Sequence, residues 1–201
     1  PESRQPCASF TLSDARMVGG GFSLGPVNLS INPGERIRIH GPNGSGKSML
    51  VGALAGVSGL SSGRLTSSST LDVGVLDQDR SQVPRGDASL VQWFPDASGL
   101  LPADARTLLA KFGLGSDDVS RPLTTLSEGE RTRVGLALLA SREATGLILD
   151  EPTNHLDLPA IEQLEQALAA YRGTLVVVTH DESSADAVRF DRTVQIGALA
   201  D

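Results

Sequence analysis

The hydrophobic positions of the chain form short strand-like runs and longer helix-like stretches. Continuous apolar runs at 147–149 (LIL) and 175–178 (LVVV) are typical of strands buried inside a parallel sheet, and Val73–Leu76 is a similar short run. Residues 159–171 have helical spacing, which places a helix between the two main runs. This strand-helix-strand order predicts an α/β fold with a mainly parallel sheet.

The remaining pattern adds further elements. Residues 27–40 hold two alternating runs around a Pro-Gly turn, which predicts an antiparallel pair of strands. Residues 58–69 are rich in Ser and Gly and are expected to form a loop. Residues 103–112 have helical spacing, and another helix is expected to begin at Ser127, which forms a capping-box pattern with Glu130.

The composition is that of an acidic globular chain. Its 201 residues include 17 Lys and Arg against 24 Asp and Glu, a net charge of −7, which argues against a surface that grips nucleic acid broadly but leaves a local basic patch open. The single cysteine, Cys7, excludes an intramolecular disulfide and a Cys-based zinc site, and it fits a reducing cytoplasm. No apolar run approaches the roughly 18 residues of a membrane span, so direct membrane insertion is not expected. The chain begins at Pro1 without a signal-peptide pattern, as expected for a piece of a longer protein.

A glycine-rich segment provides the strongest chemical signal. Residues 41–48 read GPNGSGKS and match the pattern G-x-x-x-x-G-K-[S/T] in full, between a strand-like run and a helix-like stretch that ends at Gly56. The glycines allow backbone N–H groups to point at phosphate oxygens, and the following helix N-terminus adds positive potential. Lys47 is expected to reach the β- and γ-phosphates and Ser48 to ligate Mg²⁺. The predicted phosphate-binding residues are Gly41, Pro42, Asn43, Gly44, Ser45, Gly46, Lys47 and Ser48.

An acidic pair follows one of the buried strands. The run LILDE places Asp150 and Glu151 at the strand end where ligands bind in open α/β sheets. Asp150 is predicted to hold Mg²⁺, directly or through water, and Glu151 to polarise an attacking water as a general base. Two acids that simply begin a surface loop are the alternative. The complete phosphate loop upstream favours the catalytic interpretation.

Four motifs in this order resemble the ATP-binding cassette (ABC) ATPases. They are GPNGSGKS, LSEGE at 126–130, LILDEPTNHLD at 147–157 and VVVTHD at 176–181, and Gln78 lies where the family's glutamine loop is expected. The resemblance covers about residues 24–197. It implies a P-loop NTPase core of the RecA-like type, with a mainly parallel sheet, an antiparallel β subdomain and a short helical subdomain.

The resemblance also implies a domain organisation. Residues 1–9 are polar and are interpreted as a linker stub, and 10–201 as a single ABC ATPase domain. Within that domain, 10–83 and 126–201 are expected to form the nucleotide-binding core with its β subdomain. The small helical subdomain is expected at 84–125.

Several roles are implied by the family alone. Ser127 and Gly129 would contact the γ-phosphate of an ATP bound to a second cassette, in the same protein or in a second copy of this chain. Gln78 would sense Mg²⁺ and the attacking water, and His180 would bond the γ-phosphate. Asp157 would contact the opposite cassette. The resemblance therefore implies ATP and Mg²⁺ as ligands.

Within the family, the match looks closest to the ABC-F branch and especially to a second cassette of that branch. The wording EPTNHLD, the signature LSEGERTR and the short segment between Gln78 and the signature carry this likeness. It implies a soluble cytoplasmic protein of two cassettes that acts on the ribosome, in translation or antibiotic resistance. Two alternatives are a subunit that energises a membrane transporter and a non-hydrolytic scaffold. The intact motif residues argue against the scaffold.

Three departures from the family pattern stand out. Glu128 replaces a signature glycine and puts a carboxylate near the expected γ-phosphate. Val18 occupies the position of the aromatic that usually stacks on adenine, and Phe22 is the nearest alternative. Arg38 and His40 interrupt a strand that is apolar in most relatives, for which an edge position or a partner contact is the explanation offered by the sequence.

Overall fold

The computed structural model describes residues 7–68, 72–142, 144–180 and 188–196. Its elements in chain order are β1 (Phe10–Gly19), β2 (Phe22–Ile31), β3 (Arg36–His40), α1 (Lys47–Leu54), β4 (Ser62–Ser67), β5 (Val73–Leu76), α2 (Leu90–Ser98), α3 (Pro102–Lys111), α4 (Ser116–Val119), a 3₁₀ turn (Leu123–Thr125), α5 (Glu128–Ala140), β6 (Gly146–Asp150), α6 (Leu158–Ala170), β7 (Thr174–Thr179) and β8 (Arg192–Gln195). The first six residues of the predicted linker stub, and Asp181 of the VVVTHD motif, lie outside the described residues.

The described residues divide into two compact units. The first unit contains the described residues up to Gln78, those within Ala144–Pro152 and those from Tyr171 onward. The second unit contains the described residues within Asp79–Glu143 and Thr153–Ala170. In the parts of the chain that the structure describes, no helix is both long enough and apolar enough to cross a bilayer.

A five-stranded parallel sheet organises the first unit. The strand order is β5-β6-β7-β3-β8, and every neighbouring pair is parallel. Every residue of β6 and β7 is buried, which explains why these strands appear in the sequence as unbroken apolar runs. The predicted α/β class and the three predicted strands of the sheet are confirmed.

An antiparallel sheet of order β2-β1-β4 completes the first unit. The predicted antiparallel pairing across 27–40 is wrong, because β2 and β3 belong to different sheets. The N–H of Gly34 donates to Oγ1 of Thr174 at 2.8 Å, which ties the turn to the start of β7, and β3 then runs parallel to β7. The predicted loop over 58–69 is also wrong in part. The strand β4 lies within it, and its mostly exposed residues lack the alternation that would mark it.

The core of the first unit fills one face of the parallel sheet. Ile37 and Ile39 of β3 are buried in this core together with Val176 and Val178 of β7. Arg38 alternates with these isoleucines and faces the other side, half-buried. The edge explanation for Arg38 is wrong, because β3 lies between β7 and β8. Its guanidinium instead lies 5.7 Å from the centre of the Phe190 ring, a cation–π contact that compensates part of its burial.

The second unit is helical. Apolar side chains of α2, α3 and α5 share its core, together with Val83 and Leu114 of the connecting loops. The helices predicted over 103–112 and from Ser127 onward correspond to α3 and α5, so both predictions are confirmed. This unit also buries Arg131, whose guanidinium donates to the main-chain carbonyls of Val83 and Leu123.

Candidate nucleotide-binding site

Four predicted site segments follow the carboxyl ends of four neighbouring strands in the first unit. Gln78 lies after β5, and the loop at 41–48 comes directly after β3. Asp150 is the last residue of β6, and Glu151 comes next. His180 comes directly after β7. Because these strands are parallel, their carboxyl ends lie at one edge of the sheet, where open α/β sheets bind their ligands. The fold therefore brings these residues to a common edge.

The phosphate loop requires glycine at specific positions. Gly44 and Gly46 have φ angles of 79° and 94°, in the left-handed region that side chains disfavour. A Cβ on Gly46 would also lie 3.0 Å from the Phe22 ring and 3.1 Å from a methyl of Leu24. The loop therefore folds close against β2, and its glycines allow N–H groups to face a ligand.

Lys47 is the first residue of α1, where the glycine-rich loop ends. Its ammonium donates hydrogen bonds to the carbonyls of Gly41 at 2.8 Å and Pro42 at 2.9 Å. An ammonium has three N–H groups, so these two bonds leave a third for a phosphate oxygen. Ser48 is exposed in the first turn of α1, where the helix dipole favours an anion.

Glu151 is buried and held by the end of β7. Its N–H donates to the carbonyl of Val178 at 2.9 Å, and its φ of 47° lies in the left-handed region. Its carboxylate Oε1 lies 2.8 Å from Nδ1 of His180, and Oε2 accepts a bond from the Thr179 hydroxyl at 3.3 Å. The strained backbone and these contacts fix the carboxylate at the sheet edge, as expected of a functional position.

The oxygen groups at this edge fit Mg²⁺. Asp150, Ser48 and Gln78 supply a carboxylate, a hydroxyl and an amide oxygen, which are the hard donors that this ion prefers. Within the described ranges, no three His, Cys, Asp or Glu side chains group closely enough to hold a metal by themselves. This donor set suits an ion that completes its coordination with water and the phosphates of a nucleotide.

A cavity of about 350 Å³ lies beside the phosphate loop, with Phe22, Leu24, Pro42 and Ser45 among its lining residues. Phe22 is 41% exposed and Val18 is 66% exposed. Val18 pairs with Ser23 near the end of the same β1–β2 hairpin. Phe22 is thus the aromatic side chain that lines this cavity next to the loop.

The signature segment lies in the second unit, at the start of α5. Ser127 is the N-cap: its Oγ accepts the Glu130 N–H at 3.2 Å, and the Glu130 carboxylate accepts the Ser127 N–H at 2.7 Å. The predicted capping box is therefore confirmed. A hydroxyl that accepts this bond keeps its own proton to donate to a phosphate.

Glu130 is held in its charged form. Burial alone would raise its pKa, but hydrogen bonds from Ser127 and the guanidinium of Arg121 outweigh it, so the pKa of Glu130 lies below its ordinary value. The capping box is therefore complete at neutral pH.

Gly129 lies against the segment that follows the acidic pair, within the same unit. A Cβ at Gly129 would come 2.5 Å from the main-chain oxygen of His155, so this close approach requires glycine. Asp157 lies 3.7 Å from the guanidinium of Arg133. A depression of about 370 Å³ opens here, with Ser127 and Gly129 in its lining.

A phosphate loop between a strand and a helix, with an acidic pair at the end of a nearby parallel strand, defines a P-loop NTPase. A family model described as ABC transporter matches residues 24–154, and the chain belongs to this family of ATP-binding cassette ATPases. The expected resemblance is therefore confirmed.

Curated relatives support the expected likeness to the ABC-F branch. The chain is 37% identical over 165 residues to the ABC transporter F family member 4 of Arabidopsis thaliana, covering 80% of this chain and 23% of that protein. It is 36% identical over 155 residues to the ribosome protection protein VmlR of Bacillus subtilis, covering 77% of this chain and 28% of VmlR. The chain thus spans about a quarter of the length of these relatives.

Solved structures share the fold. The cassette MJ0796, in a dimeric post-hydrolysis state bound to ADP and Pi, has a TM-score of 0.75 at 22% identity over 92% of this chain and 93% of that one. A bacterial Atm1-family ABC exporter with ATP bound has a TM-score of 0.77 at 18% identity, over 94% of this chain and 37% of that one. The predicted cassette fold is confirmed.

Proposed function

We propose that the chain binds MgATP, hydrolyses it and pairs with a second cassette around two ATP molecules. The arrangement of the phosphate loop, Asp150 and the Glu151–His180 pair at one edge of the first unit carries this proposal. These groups supply what phosphoryl transfer to water needs: a phosphate cradle, a metal ligand and a base. In one dimeric structure of the similar MJ0796, ADP and Pi are bound.

Each residue has a defined task in this proposal. Loop N–H groups and Lys47 bind the phosphates, while Ser48, Gln78 and Asp150 would hold Mg²⁺. When bound, the ion would supply charge neutralisation for the phosphates. Glu151 orients a water and accepts its proton as the water oxygen bonds to the γ-phosphorus. The bond to the ADP oxygen breaks, and the products are ADP and phosphate.

The signature residues act on the ATP of the partner cassette. Ser127 and the N–H groups at the start of α5, including that of Gly129, form an anion-binding helix N-terminus. Positive potential there stabilises the charge on the γ-phosphate in the closed pair. Pairing and hydrolysis are therefore coupled, and His180 adds a bond to the γ-phosphate from within its own cassette.

The protein that carries this cassette acts on the ribosome, in translation or in antibiotic resistance, from the cytoplasm. This part of the proposal is supported by the likeness to VmlR, which is named for ribosome protection, and to a plant ABC-F protein. The NHLD wording and the short segment after Gln78 support it further. The alternative is that the cassette energises a membrane transporter, and an experiment has to distinguish this role from the ribosomal one.

Co-sedimentation makes that separation. The full protein that carries this cassette, with Glu151→Gln, is incubated with purified ribosomes or with membrane vesicles, with and without MgATP. The proposal predicts ATP-dependent recovery with ribosomes, and Lys47→Ala, which weakens ATP binding, serves as the control. ATP-dependent recovery with the vesicles alone contradicts the ribosomal assignment but leaves the ATPase assignment standing.

A further inference from the structure

We infer that Arg85 is a charge-compensating residue of the signature site, where its ion pair with Glu128 masks a carboxylate that would otherwise repel the partner's ATP. This inference rests on the proposed pairing of cassettes around ATP. It concerns contacts within the second unit alone, and it explains how a signature with an acid in place of a glycine remains able to receive a triphosphate.

Glu128 lies beside the groups that are proposed to receive the phosphate. It is the first residue of α5, between Ser127 and Gly129, and it lines the depression of about 370 Å³ beside them. Its side chain is 48% exposed. An uncompensated carboxylate at this place cancels part of the positive potential of the helix N-terminus and repels an anionic ligand.

Arg85 supplies the compensating cation. Its Nη2 lies 3.2 Å from Oε1 of Glu128, within hydrogen-bond reach, and its side chain is 69% exposed. The two residues are distant in sequence, so the pair forms only in the folded unit. With the guanidinium beside it, the carboxylate forms part of an ion pair whose net charge is zero.

The loop that carries Arg85 is anchored from the interior. The buried guanidinium of Arg131 donates to the carbonyl of Val83, two residues before Arg85. Burial is the main cause that lowers the pKa of Arg131; nearby Arg85 adds to it, and Glu128 opposes it. These three charges are therefore close enough to interact.

The exposure of the pair makes it testable without loss of the fold. Ion pairs between exposed side chains contribute little to folding stability, so neutral variants of Arg85 and Glu128 fold like the parent. The binding of a ligand with several negative charges depends much more strongly on the net charge of the pair. Removal of the cation alone is therefore expected to weaken ATP-driven pairing about tenfold, at ordinary ionic strength.

The experiment is a double-mutant cycle on the Glu151→Gln chain, in which pairing is followed by light scattering against protein concentration in MgATP. Arg85→Gln is expected to raise the concentration for half-maximal pairing about tenfold, and Arg85→Lys to restore it. Glu128→Gln, which leaves the Arg85 cation without its carboxylate, is expected to pair at least as tightly as the parent. The double variant is expected to return to within about twofold of the parent, because the charge that needs masking is gone.

Two controls separate the possible failures. Arg106→Gln changes an exposed arginine elsewhere in the second unit and should leave pairing unchanged. Calorimetry at protein concentrations below the pairing range should give equal MgATP affinity for all variants, and the Arg85→Gln defect should shrink in high salt. Parent-like pairing of Arg85→Gln, or a double variant no better than Arg85→Gln, overturns the inference alone. Absence of pairing in the parent overturns the proposed pairing of this chain with itself, and the inference with it.

Discussion

Nδ1 of His180 lies 2.8 Å from Oε1 of Glu151, so residues from two separate motifs form a hydrogen-bonded pair at the ends of β7 and β6. A neutral imidazole that donates from Nδ1 has an unprotonated Nε2. His180 therefore donates to a γ-phosphate only when it is doubly protonated or has left Glu151. In the proposed mechanism, the hydrogen bond to Glu151 and the hydrogen bond to the phosphate are then coupled, and ATP would affect the orientation of the Glu151 carboxylate.

Lys47→Ala is expected to weaken MgATP binding about ten- to a hundredfold. Its ammonium is the side-chain cation placed in the loop, and charge-assisted hydrogen bonds contribute about 1.5–3 kcal/mol. Titration calorimetry measures the affinity. Lys111→Ala, at the exposed end of α3, is the matched control. Equal affinity in the parent and Lys47→Ala contradicts the assignment of the loop.

Phe22→Ala is expected to lower the affinity for ATP between about fivefold and a hundredfold, because stacking of a base on an aromatic ring is worth about 1–3 kcal/mol. Val18→Ala, on the same hairpin, is expected to change it less than twofold. Since a ring face stacks on any base, ATP and GTP should bind similarly. Strong preference for ATP, or equal effects of the two substitutions, argues against a Phe22-lined base site.

Gly129→Ala is expected to impair ATP-driven pairing and to lower the stability of the second unit by about 1–3 kcal/mol, because the added Cβ meets the main-chain oxygen of His155 at 2.5 Å. Gly115→Ala is the matched control, since its Cβ meets only a side-chain oxygen at 3.7 Å. Thermal unfolding and light scattering measure the two effects. A Gly129→Ala chain as stable as the control would show that the close approach does not restrain the helix.

Glu130→Gln tests the capping box through pH. The pKa of Glu130 in the folded chain lies below its ordinary value of 4.5, so its charge stabilises the fold above that pH. The free energy of unfolding of the parent should therefore exceed that of the variant by about 1 kcal/mol at pH 7, which corresponds to a shift of roughly 2–4 °C in Tm. As the pH falls below 4.5, through the lowered pKa, the difference should vanish. A difference that is independent of pH contradicts the role of the charge.

The sequence predicts those elements whose hydrophobic pattern reflects their burial in the folded chain. Strands β6 and β7 are buried on both faces, so their apolar runs reveal both the strand and the parallel sheet. The strand β4 is not predicted because its residues are mostly exposed and show no alternating pattern. This strand is formed through its hydrogen-bonded pairing with β1. The ion pair of Arg85 with Glu128 joins residues far apart in sequence, and no local pattern reports such a contact.

Turnover per chain as a function of protein concentration tests the central claim most directly. Each site needs a signature segment from a second cassette, so turnover should rise with concentration until pairs dominate. Glu151→Gln should bind MgATP, scatter more light as closed pairs accumulate, and lose about 10²–10⁴-fold in turnover with its base. Turnover that is flat with concentration, together with a Glu151→Gln chain that hydrolyses ATP like the parent, would contradict both the shared site and the assigned base.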